Sequence, residues 1–163
     1  MNTEERLPQP GFAACLQESC EQDAVLEGMY FKKETACIRQ ERADLKGCRF
    51  EGMRLAGSAF PKSFFMDTVF SNCDLSNVDF SGSLFRRAIF TDCRMEGTDF
   101  SECVIEQVQM QECSLRFCSF QQTVWKQTEC KTCGFAESLF QQNRMKKLQL
   151  EGCSFLRAEF LNT

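Results

Sequence analysis

The sequence predicts an all-β fold in which the chain turns after every five residues, on three observations. First, every fifth residue from Leu45 to Phe160 is apolar, 24 positions without a slip of register. With 43% of the chain apolar, chance would give such a run with a probability of about 10^-9. Second, the residue two before each of these centres is small in 21 of the 24 units, Met53, Asn143 and Leu148 excepted. Third, a period of five fits neither regular element alone. Five residues advance a helix by about 500°, so the apolar positions would spiral round every side. An odd period on one straight strand would alternate faces.

Each unit therefore reads as a short extended piece. Its centre and the residue two before it point inward, and the residues flanking the centre point out. The corner carries residues suited to tight turns, among them Gly47, Gly52, Gly57, Asn72, Asn77, Gly82, Gly97 and Gly152. Upstream the pattern is broken: Leu26, Phe31 and Ile38 fit as centres, with Glu34–Thr35 and Glu41–Arg42 left over as two corner insertions. Residues 1–23 lack clean periodicity. The apolar cluster Phe12–Leu16 is expected to cap the first coil, as helix or as strand, and Met1–Pro10 fit a frayed tail equally well. The expected organisation is a cap or tail over 1–23 and one repeat domain over 24–163, regular from 43.

Ala43-Asp-Leu45-Lys-Gly47, Cys73-Asp-Leu75-Ser-Asn77, Val78-Asp-Phe80-Ser-Gly82 and Thr98-Asp-Phe100-Ser-Glu102 resemble the pentapeptide repeat family, whose consensus is Ala-(Asp/Asn)-Leu-x-x. The resemblance implies a right-handed quadrilateral parallel β-helix with four pentapeptides per coil, six regular coils following an irregular first one. Folded at 20 residues, the chain forms columns. One holds the centres Phe60, Phe80, Phe100, Phe120, Phe140 and Phe160; another, at the small slot, holds Cys73, Cys93, Cys113, Cys133 and Cys153. At about 4.8 Å per coil the six regular coils make a rod about 29 Å long.

Eight of the twelve cysteines occupy the small slot, where a free thiol serves as a small buried hydrophobe. Parallel side chains about 4.8 Å apart keep their Cβ atoms beyond the usual disulfide range, and a straight column does not converge as zinc ligands must. Cys130-Lys-Thr-Cys133 is a lone CxxC whose cysteines both point inward in this frame, so core filling outweighs redox chemistry. The absence of histidine removes the usual general base and the commonest metal ligand. Asp44, Asp74, Asp79 and Asp99 precede their centres, where they accept backbone hydrogen bonds at turns. No catalytic residue, cofactor or metal is expected. The formal charge of -4 argues against a polybasic nucleic-acid binder. No run approaches the roughly 18 apolar residues of a membrane span and no signal-peptide order opens the chain, so a cytoplasmic location without membrane contact is expected.

Function is then expected on the outward positions. The side centred on Leu45 to Met145 carries 7 bases and 3 acids, that on Phe50 to Leu150 carries 2 and 5, and that on Leu55 to Phe155 carries 4 and 3. The side centred on Phe60 to Phe160 carries 1 base and 4 acids, a candidate acidic side of Asp79, Asp99, Glu102 and Glu159. Phe64, Leu84, Val104 and Val124 form an apolar stripe on the basic side, with Met66 beside it and Val69 and Ile89 on the next side. The stripe reads as a docking surface; strand-suited residues, or cover by residues 1–23, account for it as well. The last coil lacks a polar cap and presents Phe155, Leu156, Phe160 and Leu161, and the resemblance implies a homodimer formed end to end there. Three functional readings follow. The first is a non-catalytic scaffold for a protein partner. The second, by similarity to the Qnr-type fluoroquinolone-resistance group, is a DNA mimic that binds the type II topoisomerases DNA gyrase or topoisomerase IV, from which the basic side departs. The third is a thiol-redox protein.

Overall fold

The computed structural model describes residues 10–163. Helix α1 (Phe12–Glu21) is followed by β1 (Leu26–Glu27), β2 (Tyr30–Lys32), β3 (Asp44–Lys46), β4 (Arg49–Glu51), β5 (Phe64–Met66), β6 (Val69–Ser71), β7 (Leu84–Arg86), β8 (Ile89–Thr91), β9 (Val104–Glu106), β10 (Gln109–Gln111), β11 (Ser119–Gln121), β12 (Val124–Lys131), β13 (Leu139–Gln141), β14 (Arg144–Glu151) and β15 (Glu159–Leu161). Each three-residue strand is the extended part of one unit. From β3 to β13 its central side chain is buried and its flanks are exposed or half-buried.

Every pairing is parallel, and the register closes the repeat after four units. Leu45, Phe65, Phe85, Ile105, Trp125 and Met145 align on the first side. Phe50, Phe70, Phe90, Met110, Cys130 and Leu150 align on the second. The third side is held by single bridges running Arg54, Asp74, Arg94, Ser114, Gly134 and Ser154. The fourth starts with bridges at Ala59, Asp79 and Asp99 and widens into β11, β13 and β15. The result is a four-sided parallel β-solenoid of about seven turns. Its expected phenylalanine column is present: Phe60, Phe80, Phe100, Phe120, Phe140 and Phe160 stack at centroid spacings of 5.9, 5.7, 5.2, 4.8 and 4.7 Å.

The corners need a left-handed residue. From Arg42 to Asn162 every fifth residue has φ between 50° and 75°. The expected Gly and Asn corners obey this, and so do Arg87, Phe117 and Thr132 (φ 53°, 58° and 52°). The cost of that conformation to an ordinary L-residue is about 1–2 kcal/mol, so the ladder imposes the turn where the side chain disfavours it. Thr132 is the one β-branched residue among these corners.

The first coil differs from the two-insertion expectation. Leu26 pairs with Leu45, Phe31 with Phe50 and Thr35 with Arg54, all 19 apart, whereas Arg39 pairs with Ala59 at the regular 20. One residue is therefore missing between Thr35 and Arg39, and nothing is inserted. No left-handed residue occurs between Lys33 and Arg42, so the residue lost is the corner itself. Ile38 consequently falls opposite Ser58 and donates its N–H to Ser58 Oγ at 3.0 Å. It occupies a small slot, and Ala36 and Gln40 take the centre positions on either side.

The expected N-terminal cap is a helix. Phe12 of α1 plugs the open end of the core, 5.0 Å from the rings of Phe31 and Phe50 and 6.2 Å from Phe60. Cys15, Leu16 and Ser19 are buried beneath it. The helix has no side-chain cap of its own; Glu34 of the first coil supplies one, accepting the Phe12 N–H at 2.8 Å where the helix dipole favours a carboxylate. The part of the expected tail covering residues 1–9 lies outside the described residues.

Two stability outcomes follow. Thr132→Asn, which fits the left-handed corner, is expected to raise the unfolding free energy by about 0.5–1 kcal/mol, measured by urea denaturation. Phe12→Ala is expected to lower it by about 3–5 kcal/mol in the same experiment, by opening the core at the helix end.

Candidate interaction surfaces and the open C-terminal end

Many small-slot residues carry a donor as well as being small, and these donate to the carbonyl of the centre 23 positions earlier, whereas Val78, Ala88 and Val108 have none to give and the buried Thr68 Oγ1 has no partner. Ser83 Oγ reaches Phe60 O at 2.9 Å, Thr98 Oγ1 reaches Leu75 O at 2.7 Å, Cys118 Sγ reaches Met95 O at 2.9 Å and Ser138 Oγ reaches Leu115 O at 2.6 Å. Cys73, Cys93, Cys113 and Cys133 do the same at 3.4–3.5 Å. The thiols are thus hydrogen-bonded members of the corner as well as small apolar fillers.

All twelve cysteines are free. Burial pushes the thiols of Cys103, Cys118 and Cys130 up to about 12 from an ordinary 9.0. Cys93 is also raised, first by its thiol neighbours Cys113 and Cys73 and then by burial. Cys130 and Cys133 of the CxxC are both buried, in a centre and a slot of adjacent sides. Along the column the hydrogen bonds between neighbouring thiols act in both directions: Cys133 is raised by its bond to Cys113, whereas Cys113 is lowered by its bonds to Cys133 and Cys93, and Cys73 by its bond to Cys93. No group of three or more Cys, Asp or Glu side chains among the described residues could hold a metal. No helix among them is long and apolar enough to cross a membrane.

The expected acidic side is sparse. Asp79 lies directly below Asp99, and each spends Oδ1 on its own turn, accepting the N–H of Ser81 and Ser101 at 2.8 Å; Asp74 does likewise with Ser76. The apolar stripe is in strict register, Phe64, Leu84, Val104 and Val124 in one column and Val69 and Ile89 in a second. Asp44 lies below Phe64 and Arg144 above Val124. Only Phe64 (46%) and Ile89 (37%) count as exposed; Met66, Val69, Leu84, Val104 and Val124 are half-buried.

The C-terminal end is where apolar surface concentrates. Nothing among the described residues stacks on the last coil, so its centres lie bare: Met145, Leu150 and Phe160 are exposed, as are Leu156 (68%) and Leu161. The expected group Phe155, Leu156, Phe160 and Leu161 does share this end, with Phe155 half-buried. The centres rim a wholly apolar cup of about 120 Å³ floored by Trp125, Cys130 and Phe140. Trp125 Nε1, buried, has no hydrogen-bond partner.

Met145, Leu148 and Leu150 also line this site, beyond the four residues expected at the end of the rod. Two of the three exceptions to the small-slot rule, Asn143 and Leu148, lie in the last coil; Asn143 is buried, donates Nδ2–H to Phe120 O at 2.7 Å as smaller slot donors do, and is itself covered by Thr163, whose Oγ1 accepts its N–H at 3.4 Å. The third, Met53, lies by the capped end, its sulfur 3.4 Å from the Glu34 N–H.

The sequence from 43 to 120 matches the family described as "Pentapeptide repeat region". This stretch is a pentapeptide repeat region. The coils on either side continue the same repeat, one residue short in the first and in full register to 162. None of the curated proteins matches the chain. Among solved structures it is similar to a trypsin-treated R167E form of QnrB1, described as a plasmid-mediated fluoroquinolone resistance protein, at 19% identity over 85% of this chain and 73% of that one, with a TM-score of 0.38. It is similar also to HetL, a pentapeptide repeat protein of the cyanobacterium Nostoc sp., at 11% identity over 82% and 87% of the two chains (TM-score 0.27). A third likeness is to a putative glycosyl hydrolase of Parabacteroides merdae, at 10% identity over 86% and 87% (TM-score 0.48).

The buried thiols set an alkaline limit on stability. A thiol raised in the folded state contributes stability that is complete below its unfolded value near 9 and is lost as pH climbs toward about 12. Cys118→Ser keeps the donor to Met95 O and removes the titration. It is expected to leave the melting temperature at pH 7 nearly unchanged and to lessen its fall between pH 9 and 11, measured by thermal melts across pH.

Proposed function

We propose that this pentapeptide repeat protein is a non-catalytic, rigid interaction rod whose docking end is its C-terminal coil. One observation carries the reading: the core is sealed by Phe12 at one end and opens as an apolar cup at the other. Exposed centres of a solenoid lose the burial that every inner centre has, about 25 cal/mol per Å². A partner seated there recovers it. The half-buried stripe on the first two sides offers less, because its coil neighbours already cover most of it.

Duplex mimicry finds little support in the charge. Double-stranded DNA carries one negative charge per roughly 1.7 Å of axis. The acidic side carries four carboxylates, Asp79, Asp99, Glu102 and Glu159, over a rod of about 29 Å at the usual strand spacing, several-fold too few.

Photo-crosslinking tests the docking end, with a benzophenone residue placed at Leu156, at Leu84 on the stripe, or at Arg94 on the third side. Discrete adducts are expected from Leu156, removed by Leu161→Asp. Adducts from Leu84 alone, or equally from all three positions, would overturn the assignment. In a parallel assay, excess protein is expected to leave supercoiling by DNA gyrase unchanged; inhibition would restore the mimic reading.

A further inference from the structure

The layers of the rod show what kind of layer covers the last one. Several charged side chains pair with opposite sign one coil apart, Lys46 with Glu27 at 3.0 Å, Arg86 with Glu106 at 2.7 Å, and Lys131 with Glu151 at 3.6 Å, whereas Asp79 and Asp99 stack like on like and spend Oδ1 on their own turns. Arg87 grips Asp67 with two prongs, at 2.6 and 2.9 Å. Apolar centres stack on apolar centres, and the corner N–H of one coil donates to a carbonyl of the next, as Gln107 does to Lys126 O at 2.8 Å and Gln122 to Gln141 O at 2.7 Å.

On β14 this pattern is left incomplete. Among the described residues Lys126, Arg144, Lys146 and Lys147 have no carboxylate within 4.0 Å. Lys146 lies in register directly over Lys126, a like-charge stack that costs stability until a counter-charge arrives. β14 pairs with β12 along one edge only. Along its other edge no carbonyl among the described residues meets the N–H of Lys147, and no described centre packs on Met145 or Leu150. The edge therefore offers backbone donors, cations and apolar side chains at strand spacing, which is what an added strand with acceptor side chains would satisfy.

We infer that the free edge of β14 takes an extended acidic segment of another protein as an additional strand. The segment carries an acidic–apolar–acidic triplet whose acids lie over Arg144 and Lys146 and whose apolar residue lies over Met145. This rests on the reading of the C-terminal coil as the docking end and names its occupant. A second copy of this chain suits the edge less well. The last coil carries four cations, Arg144, Lys146, Lys147 and Arg157, against the two carboxylates of Glu151 and Glu159, so end-to-end pairing sets one positive excess against another.

Fluorescence anisotropy with short fluorescein-labelled peptides tests it, their cores being Glu-Leu-Glu, Lys-Leu-Lys or the permuted Glu-Glu-Leu. The Glu-Leu-Glu peptide is expected to bind saturably and to weaken with salt, the other two to bind poorly, and N-methylation of the leucine amide to abolish binding. Joint Arg144→Ala and Lys146→Ala substitution is expected to weaken binding about tenfold or more, with an unchanged melting temperature showing the fold intact. Arg94→Ala on the third side is expected to change nothing. Equal binding of Lys-Leu-Lys, an unaffected double variant, or no binding up to about 1 mM would overturn the inference. If the peptide fails while light scattering shows a dimer that Leu161→Asp dissolves, the docking end stands and only its occupant is wrong. If neither peptide nor dimer is seen, the docking end falls with it.

Discussion

The in-register parallel ladder between coils is the constraint on which the rest of the molecule depends. Because each coil advances 20 residues, the neighbour above any side chain is its own equivalent in the repeat. Like is placed on like at strand spacing, about 4.8 Å. For phenylalanine this is favourable, and the fourth-side rings stack nearly parallel toward the C-terminus. For charge it is unfavourable; the column Arg54, Asp74 and Arg94 answers by alternating sign, while Asp79 with Asp99 and Lys126 with Lys146 stack like on like. For the corners it is coercive: residues such as Arg87 and Thr132 adopt left-handed backbone because the ladder above and below fixes the turn.

A structure built by adding identical layers has no intrinsic stop, so its ends must be made by departures from the repeat. At the N-terminal end the departure is a change of secondary structure. Helix α1 turns one face to the core, inserts Phe12, and has its first N–H satisfied by Glu34 of the first coil. At the C-terminal end the described chain keeps the repeat to Asn162, and only slot residues change. Leu148 and Asn143 stand where inner coils carry small side chains. The two ends therefore present different physics, one closed over aromatic rings and the other open, apolar and positively charged on its first side.

The cysteine content has the same origin. A corner slot must be small, as buried Val78, Ala88 and Val108 are, and a donor placed there can reach the centre carbonyl of the coil below. Ser, Thr and Cys combine the two, and the thiol adds apolar bulk. Burial raises the thiols of Cys103 and Cys118, and the buried cysteines serve as structural donors to centre carbonyls.

Most of the architecture was legible in the sequence, because period five and period 20 are direct images of the geometry: the centres, slots, corners and phenylalanine column all follow from spacing. The stripe Phe64, Leu84, Val104 and Val124 could also be read, though its half-burial depends on flanking coils that spacing does not reveal. Broken periodicity carries less information. Between Phe31 and Arg42 the apolar spacing favoured Ile38 as a centre, whereas backbone pairing places it in a slot, since an apolar residue fits either inward position and only the ladder tells them apart. Helix α1 was equally hidden, its ten residues being shaped by the core they cover. The docking end was legible as apolar residues and a basic side taken separately. That Lys126, Arg144, Lys146 and Lys147 stand without carboxylate partners beside an open edge was decided by tertiary structure alone, because pairing across coils depends on which side chains the fold stacks, and on where the stacking stops.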